Sequence, residues 1–450
     1  MPQGRPYTRG NLEPATVAVP AASTRLRIHV AAAAALLALA VWLSSGTMAP
    51  VASTFFAPIV SQPCGYLYNV DHPLHEAAFQ MLDGQPRERW ESSIVLRRIL
   101  FPLFAYPFMK LGGYEVGGFV ASLLLQLAAL LGLAEFLRRR HGEDAARAGA
   151  WLLASYPGIT YWAGLPYAYV AIVPASIALH ALLVRLDERP GARATLATSS
   201  VMGVLFTAYD LLPFFGVAGL LLLARRRRFA ELPLALAGFV AAPLVVTLVF
   251  EHALHLGWTN KNTAIYSIIA RSYLHPPELR VWLDAISDVV PVFAANYLYG
   301  NLVFLPLLFV AALVVTRRAP ERAEGALLLV GLGIFLFNNL APPYVGRWQM
   351  RGLFIPRLYQ PVFVALLVYC ARSLAAWRAL PELRGRLLLA VAAFAFAGNL
   401  TVAFGPVARL PWSGYVYHRF YQHSGPGEME HQLALHGRRP LGFCASAPRD

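Results

Sequence analysis

The sequence predicts an all-α polytopic membrane protein with about 11 transmembrane helices and a long first extracytoplasmic loop that carries interfacial helices. Three observations predict it. The 450 residues are 57% hydrophobic and 14% charged, whereas soluble globular chains run at about 45–50% apolar and about 25% charged. The mean hydropathy of +0.51 agrees. Apolar runs recur along the whole length, and arginines gather in alternate connections between them. This composition excludes a soluble enzyme, a nucleic-acid-binding domain, a disordered chain and a disulfide scaffold. The net charge of +14 is a matter of orientation, since it is confined to particular loops. Three cysteines without a CxxC pair suggest neither zinc nor redox chemistry.

The first apolar run, Ala31 to Leu43, follows Arg5, Arg9, Arg25 and Arg27. It reads as an uncleaved signal anchor, with a cleaved signal peptide as the alternative. Ten further runs follow: Gly117–Phe136, Ala148–Trp162, Val170–Leu183, Leu196–Ala208, Leu211–Leu223, Leu234–Phe250, Phe293–Val315, Leu327–Leu340, Pro361–Tyr369 with its flanks, and Leu387–Phe404. The connections expected on the cytoplasmic side hold Arg138–Arg140, Arg185 to Arg193, Arg225–Arg228, Arg317 to Arg322 and Arg372 to Arg386. With the N-terminal four and Arg147 they take 22 of the 38 Lys and Arg. That alternation predicts a multi-pass protein of a bacterial-type inner or plasma membrane, N-terminus cytoplasmic and C-terminus extracytoplasmic. The stretch Ile94–Leu111 is apolar enough to enter the membrane, but counting it as a crossing would invert every later loop. It therefore reads as an interfacial or re-entrant helix pair, kinked by Pro102 and Pro107.

The chain is then one transmembrane domain, 1–450. Its extracytoplasmic pieces are a first loop at 49–115, a second at 251–291 and a tail at 405–450, with a shorter outer loop at 341–357. The cytoplasmic loops are brief and basic, and no GxGxxG or P-loop sequence gives nucleotide chemistry a home there. Functional groups concentrate outside.

In the first loop, Asp71 precedes Pro73 and can cap a helix running to Gly84, with Leu74, Ala77, Ala78, Met81 and Leu82 at helical spacing. Asp71 is either that cap alone or a functional acid at a helix entrance. His72, His75 and Glu76 share one turn. They could hold a divalent cation, though the spacing fits no known zinc motif, or they face water and headgroups. No cofactor is required by the sequence, and a divalent metal is the one it leaves open. Arg97 and Arg98 adjoin an apolar helix. They either snorkel to headgroups or clamp a phosphate, which suits guanidinium forks. The same alternatives hold for Arg351 and Arg357, in an outer loop that runs against the positive-inside trend. Asp210 and Glu251 fall at outer ends of predicted spans. Cys64 and Cys444 both fall outside, where disulfides persist, and form either a bridge or two free thiols; Cys370 lies within a span as a plain buried thiol.

These motifs resemble those of the GT-C superfamily of integral membrane glycosyltransferases. Asp71 to Gly84 is similar to the acid, spacer, Ala-Ala, Leu-x-Gly segment of their first loop. Arg98-Ile99-Leu100-Phe101-Pro102-Leu103 looks like the Arg-x-aliphatic-aromatic-Pro-Leu stretch that follows it. Ser155-Tyr156-Pro157-Gly158 through Pro166-Tyr167 is similar to a segment of the GPI mannosyltransferase branch, except that Ala168-Tyr169 stands where an acid is expected. Arg351 to Pro361 resembles the start of a late helix in bacterial members. The resemblance implies transfer of a sugar, hexosyl or mannosyl, from a polyprenyl-phosphate-linked donor to a lipid, glycan or protein acceptor on the extracytoplasmic face. It implies Asp71 as general base, with Glu76 the fallback, and Arg97, Arg98, Arg351 and Arg357 as binders of the donor phosphate. The alternative function is a transporter or flippase of a lipid-linked or amphipathic substrate, against which stands the lack of a visible internal repeat. The partners implied are the lipid-linked donor, the acceptor and the membrane, with no nucleic acid.

Overall fold

The computed structural model describes residues 22–48, 79, 82–83, 98–156, 168–209, 211–253, 304–340 and 349–404. Among them, α1 spans Thr24–Met48, α2 Leu100–His141, α3 Glu143–Ser155, α4 Ile172–Glu188, α5 Ala192–Phe206 and α6 Phe214–Arg225. Then come α7 at Leu232–Ala253, α8 at Phe304–Thr316, α9 at Arg322–Leu340, α10 at Gln349–Ala375 and α11 at Glu382–Phe404. Every predicted apolar run overlaps one of these helices, and no strand occurs among the described residues. Five helical stretches are long and apolar enough to cross a membrane alone: 24–42, 116–141, 169–188, 229–250 and 382–401. Helices answer an apolar solvent because each backbone donor finds its acceptor within the same segment.

The helix ends that carry the arginines come together at one end of the bundle. Arg140, in the last turn of α2, donates to Glu188 at the end of α4 (2.6 Å) and to Glu321 just before α9 (2.8 Å). Arg226 after α6 donates to Asp187 (2.8 Å). Arg228 crosses to the carbonyls of Leu186 and Arg189, which are left without partners where α4 ends, and pairs with Glu231 at the start of α7. Ser23, before α1, donates its backbone N–H to Glu143 at the start of α3 (2.7 Å). The arginine-rich loops therefore share one face, as the alternation of charge along the chain requires.

The deepest of these contacts joins α9 to α10. Arg372 donates to both oxygens of Glu324 (3.0 and 2.8 Å) and to the carbonyl of Ala319 (2.9 Å), while its guanidinium lies 4.7 Å from the centre of the Tyr369 ring. Glu324 is 1% exposed, so its charge is balanced inside the protein and not by water. Cys370, next to this pair, is a fully buried free thiol, as expected.

Away from the charged end, small residues set the packing. α3 is lined by Ala145, Ala146, Gly149 and Ala150, all buried, and sits among α1, α2, α10 and α11. α5 and α7 cross where Gly203 faces Gly238; a Cβ on Gly203 would stand 2.5 Å from the Gly238 carbonyl. Such pairs let helices approach closely enough for dispersion to hold them where lipid offers no hydrophobic drive.

Two local results depart from the sequence reading or sharpen it. α10 starts at Gln349 and continues through Pro356 and Pro361, so most of the expected 341–357 loop is helical, and Arg351 and Arg357 lie in its first turns. Prolines are tolerated within membrane helices when neighbouring groups take over the freed carbonyls. α2 is broken at Gly113, whose φ of 75° and ψ of 171° lie outside the helical range. Beyond the break, a Cβ on Gly117 would fall 2.2 Å from the Phe108 carbonyl oxygen, a contact that residues nine apart on a straight helix cannot make. The short arm at 100–112 thus folds back beside the long one; the break falls at Gly113 and not at Pro102 or Pro107, and the pair is made with the following span and not within 94–111.

Replacing Arg372 by Met leaves the Glu324 carboxylate buried alone, which should cost about 3–5 kcal/mol. The thermal midpoint in detergent should fall accordingly, and adding Glu324→Gln to that variant should recover much of the loss.

Candidate functional site

The fold-back at Gly113 decides where Arg98 goes. Arg98 lies 15 residues before the break and Gln126 lies 13 after it. The two nevertheless reach adjacent residues of one 3-10 turn, Ala168–Ala171, which leads into α4. Gln126 donates its amide to the Val170 carbonyl (2.7 Å). The Arg98 guanidinium stands 5.1 Å from the centre of the Tyr169 ring.

A second ring completes the cage. Tyr209, in the turn between α5 and α6, has its ring centre 4.4 Å from the same guanidinium. Its ring lies 5.8 Å from that of Tyr169, at 72°. Arg98 is 6% exposed, Tyr169 7% and Tyr209 3%. Attraction of a cation by the electron-rich ring face reaches about 2 kcal/mol or more when the pair is desolvated. The Arg98 guanidinium is planar. Its N–H edge is the part through which it meets an anion, and that edge is matched to phosphate or carboxylate oxygens. Ser122, one turn from Gln126 on α2, is also fully buried.

A second cluster ties the first loop to this helix pair. Phe79 is buried in the core, and the Asp83 N–H bonds the Phe79 carbonyl (3.0 Å), one turn of the helix predicted to end at Gly84. The Asp83 carboxylate accepts from the Tyr106 hydroxyl (2.8 Å) and pairs with the Lys110 ammonium (2.5 Å), both on the short arm of α2. Lys110 and Tyr106 hold the Asp83 carboxyl below the usual carboxylate range, and Asp83 raises Lys110 in return. With a lowered folded-state pKa, the contribution of this pair is present above the ordinary carboxyl value and fades only as pH falls through the lowered one.

Of the residues singled out in sequence, Arg98 is placed in a defined polar setting. Arg351 and Arg357 lie on α10. Asp71, His72, His75, Glu76, Arg97, Asp210, Cys64 and Cys444 lie outside the described residues. Sequence reasoning missed Tyr169, Tyr209 and Gln126. The signal for Gln126 was present: it is a large polar side chain in the middle of the Gly117–Phe136 apolar run, where polar groups are functional by default. Tyr169 stands at the position where the family pattern expects an acid.

Fold and site together define the class: an all-helical, multi-pass membrane protein with its charge sorted to one end and an aromatic-caged arginine buried beside a broken helix. Comparison with solved structures finds two that align along nearly the whole chain. One is ArnT from Cupriavidus metallidurans bound to undecaprenyl phosphate, at 14% identity and a TM-score of 0.49, covering 95% of this chain and 77% of that one. The other is the same protein in the apo state, at 17% identity and a TM-score of 0.48, covering 94% and 76%. No family model and no curated protein matches the sequence.

The Asp83–Lys110 pair predicts a zero-length crosslink. Carbodiimide at mildly acidic pH should join the two side chains through an amide bond, seen by peptide mass spectrometry as a link between the first loop and α2. Lys110→Arg keeps the charge and should abolish the link.

Proposed function

We propose that this protein is a membrane glycosyltransferase that moves a sugar from a polyprenyl-phosphate-linked donor to an acceptor on the extracytoplasmic face. The observation that supports it is Arg98: a buried guanidinium beside two tyrosine rings, at the site where the sequence resembles the Arg-Pro segment of GT-C enzymes. The guanidinium fork suits phosphate oxygens, and such a donor carries a phosphate. Hexosyl transfer, mannosyl in the first instance, is the proposed reaction.

The proposed chemistry uses residues of the chain in two roles. Asp71, or Glu76 in its stead, takes the proton of the acceptor hydroxyl as its oxygen attacks the anomeric carbon. The bond from that carbon to the phosphate oxygen breaks, and the polyprenyl phosphate leaves with its charge held by guanidiniums. Arg98 is the first of these, with Arg97, Arg351 and Arg357 proposed to converge on the same phosphate. The Asp83 tether favours this arrangement, since it fastens the segment that carries Asp71 to the helix pair that carries Arg98. We further propose eleven crossings, with the arginine-rich end cytoplasmic, and a Cys64–Cys444 bridge holding the tail over the first loop. His72 and His75 remain weak candidates for a divalent metal.

Asp71→Asn keeps the size and the capping ability of the side chain but removes the base. Transfer from a polyprenyl-phosphate mannose donor should fall roughly 10²–10⁴-fold, and an Asn variant with full activity and normal expression rejects the assignment. Orientation is checked separately. Reporter fusions in the loop at Arg225–Arg228 should report the cytoplasm and fusions beyond Gly405 the opposite side; the reverse result overturns the topology.

A further inference from the structure

Gln126 has a feature that its bond to Val170 does not explain. The residue is 1% exposed. Its amide nitrogen donates to the Val170 carbonyl, which fixes the orientation of the group, because turning it over would set two oxygens against each other. The amide oxygen is then buried and meets no hydrogen-bond donor among the described residues. A buried acceptor without a donor costs about 1–3 kcal/mol, and native proteins rarely keep one unless a ligand or an ordered water completes it.

Its surroundings favour a ligand. Gln126 reaches Val170 while Arg98 reaches Tyr169, the next residue of the same turn. The unsatisfied acceptor and the guanidinium thus belong to side chains that meet adjacent residues of one turn. The acceptor complements the guanidinium chemically: the arginine offers N–H donors suited to an anion, and the glutamine oxygen asks for a donor such as a hydroxyl. A sugar phosphate carries both, an anion and, on the carbon next to the one that bears it, a hydroxyl group.

We infer that Gln126 is a specificity-determining residue that accepts a hydrogen bond from a hydroxyl of the sugar whose phosphate lies on Arg98. The inference rests on the donor proposed above and adds to it the part of the site that tells a sugar-bearing lipid from the bare carrier phosphate. A site built to hydrogen-bond a substrate hydroxyl rejects the analogue that lacks it, because its own polar group is left unpaired.

The test compares two lipids, mannosyl-phosphoundecaprenol and undecaprenyl phosphate, binding to the full-length protein in detergent. The wild type should favour the sugar-bearing lipid. Gln126→Met, which keeps the length of the side chain and removes both polar atoms, should reduce that preference about tenfold or more while leaving the affinity for undecaprenyl phosphate unchanged. Gln126→Leu repeats the measurement should the Met variant not fold. A merely structural role would weaken both lipids together. Equal affinity of the wild type for the two lipids, or an unchanged ratio in the folded variant, overturns the inference. Arg98→Lys separates it from the reading beneath it: if that change leaves both lipids bound as before, the phosphate site itself is misplaced, whereas loss of both with no effect of Gln126→Met leaves the phosphate site standing and removes the role of Gln126.

Discussion

Arg140 joins helix ends that are distant in sequence, and the arrangement of the rest follows from that kind of contact. It reaches Glu188 across 48 residues and Glu321 across 181. With Arg226 on Asp187, Arg228 on the end of α4 and Arg372 on Glu324, it makes one end of the bundle a lattice of charge-assisted bonds. The apolar surfaces of the helices cannot provide such positional information, because lipid tails compete for them on equal terms. Isolated exposed ion pairs contribute about 0–1 kcal/mol. The buried Glu324–Arg372 pair differs, since breaking it strands a charge away from water. The end that carries the orientation signal is thus also the end that fixes the register of the helices.

The opposite end is organised by a break instead of a bond. Gly113 adopts a backbone conformation that other residues rarely take, and Gly117 leaves room for the Phe108 carbonyl. Together they let one continuous stretch of sequence fold back as a helix pair. The consequence is positional: an arginine that sequence order would place well outside the bundle reaches the same turn as Gln126 of the long arm. Tyr169 and Tyr209 then flank its guanidinium, with ring centres 5.1 and 4.4 Å away.

How much of this the sequence revealed depends on the range of the interaction. The helices were legible because an apolar environment forces every crossing segment to satisfy its own backbone, so composition alone marks them. The grouping of the arginine-rich loops was legible for the same reason: moving arginine across the apolar layer is costly enough to leave a pattern. The stretch 94–111 was kept out of the count of crossings because including it would have reversed all later loops; its pairing with the following span across Gly113 carried no signal in the sequence. The partners of the arginines were not legible, since Glu188, Glu321 and Glu324 look in sequence like ordinary loop acids. The start of α10 was misjudged because Pro356 and Pro361 ordinarily argue against a helix in water. Arg98 stood out as a charge beside an apolar stretch; its tyrosines, 71 and 111 residues further along, carried no signal that joined them to it.

The two ends use the same side chain under opposite constraints. At the charged end, arginines meet carboxylates of the chain itself, so each pair is complete and its role is to hold helices in place. Arg98 instead has two tyrosine rings beside its guanidinium, with centres 5.1 and 4.4 Å away. A ring draws a cation by its electron-rich face, whereas a bidentate carboxylate holds it by pairing with its charge. On the turn that Arg98 also reaches, the buried Gln126 oxygen asks for a donor. An acceptor held out of bulk water in this way is a poor arrangement for stability alone and a suitable one for a ligand that brings the missing donor.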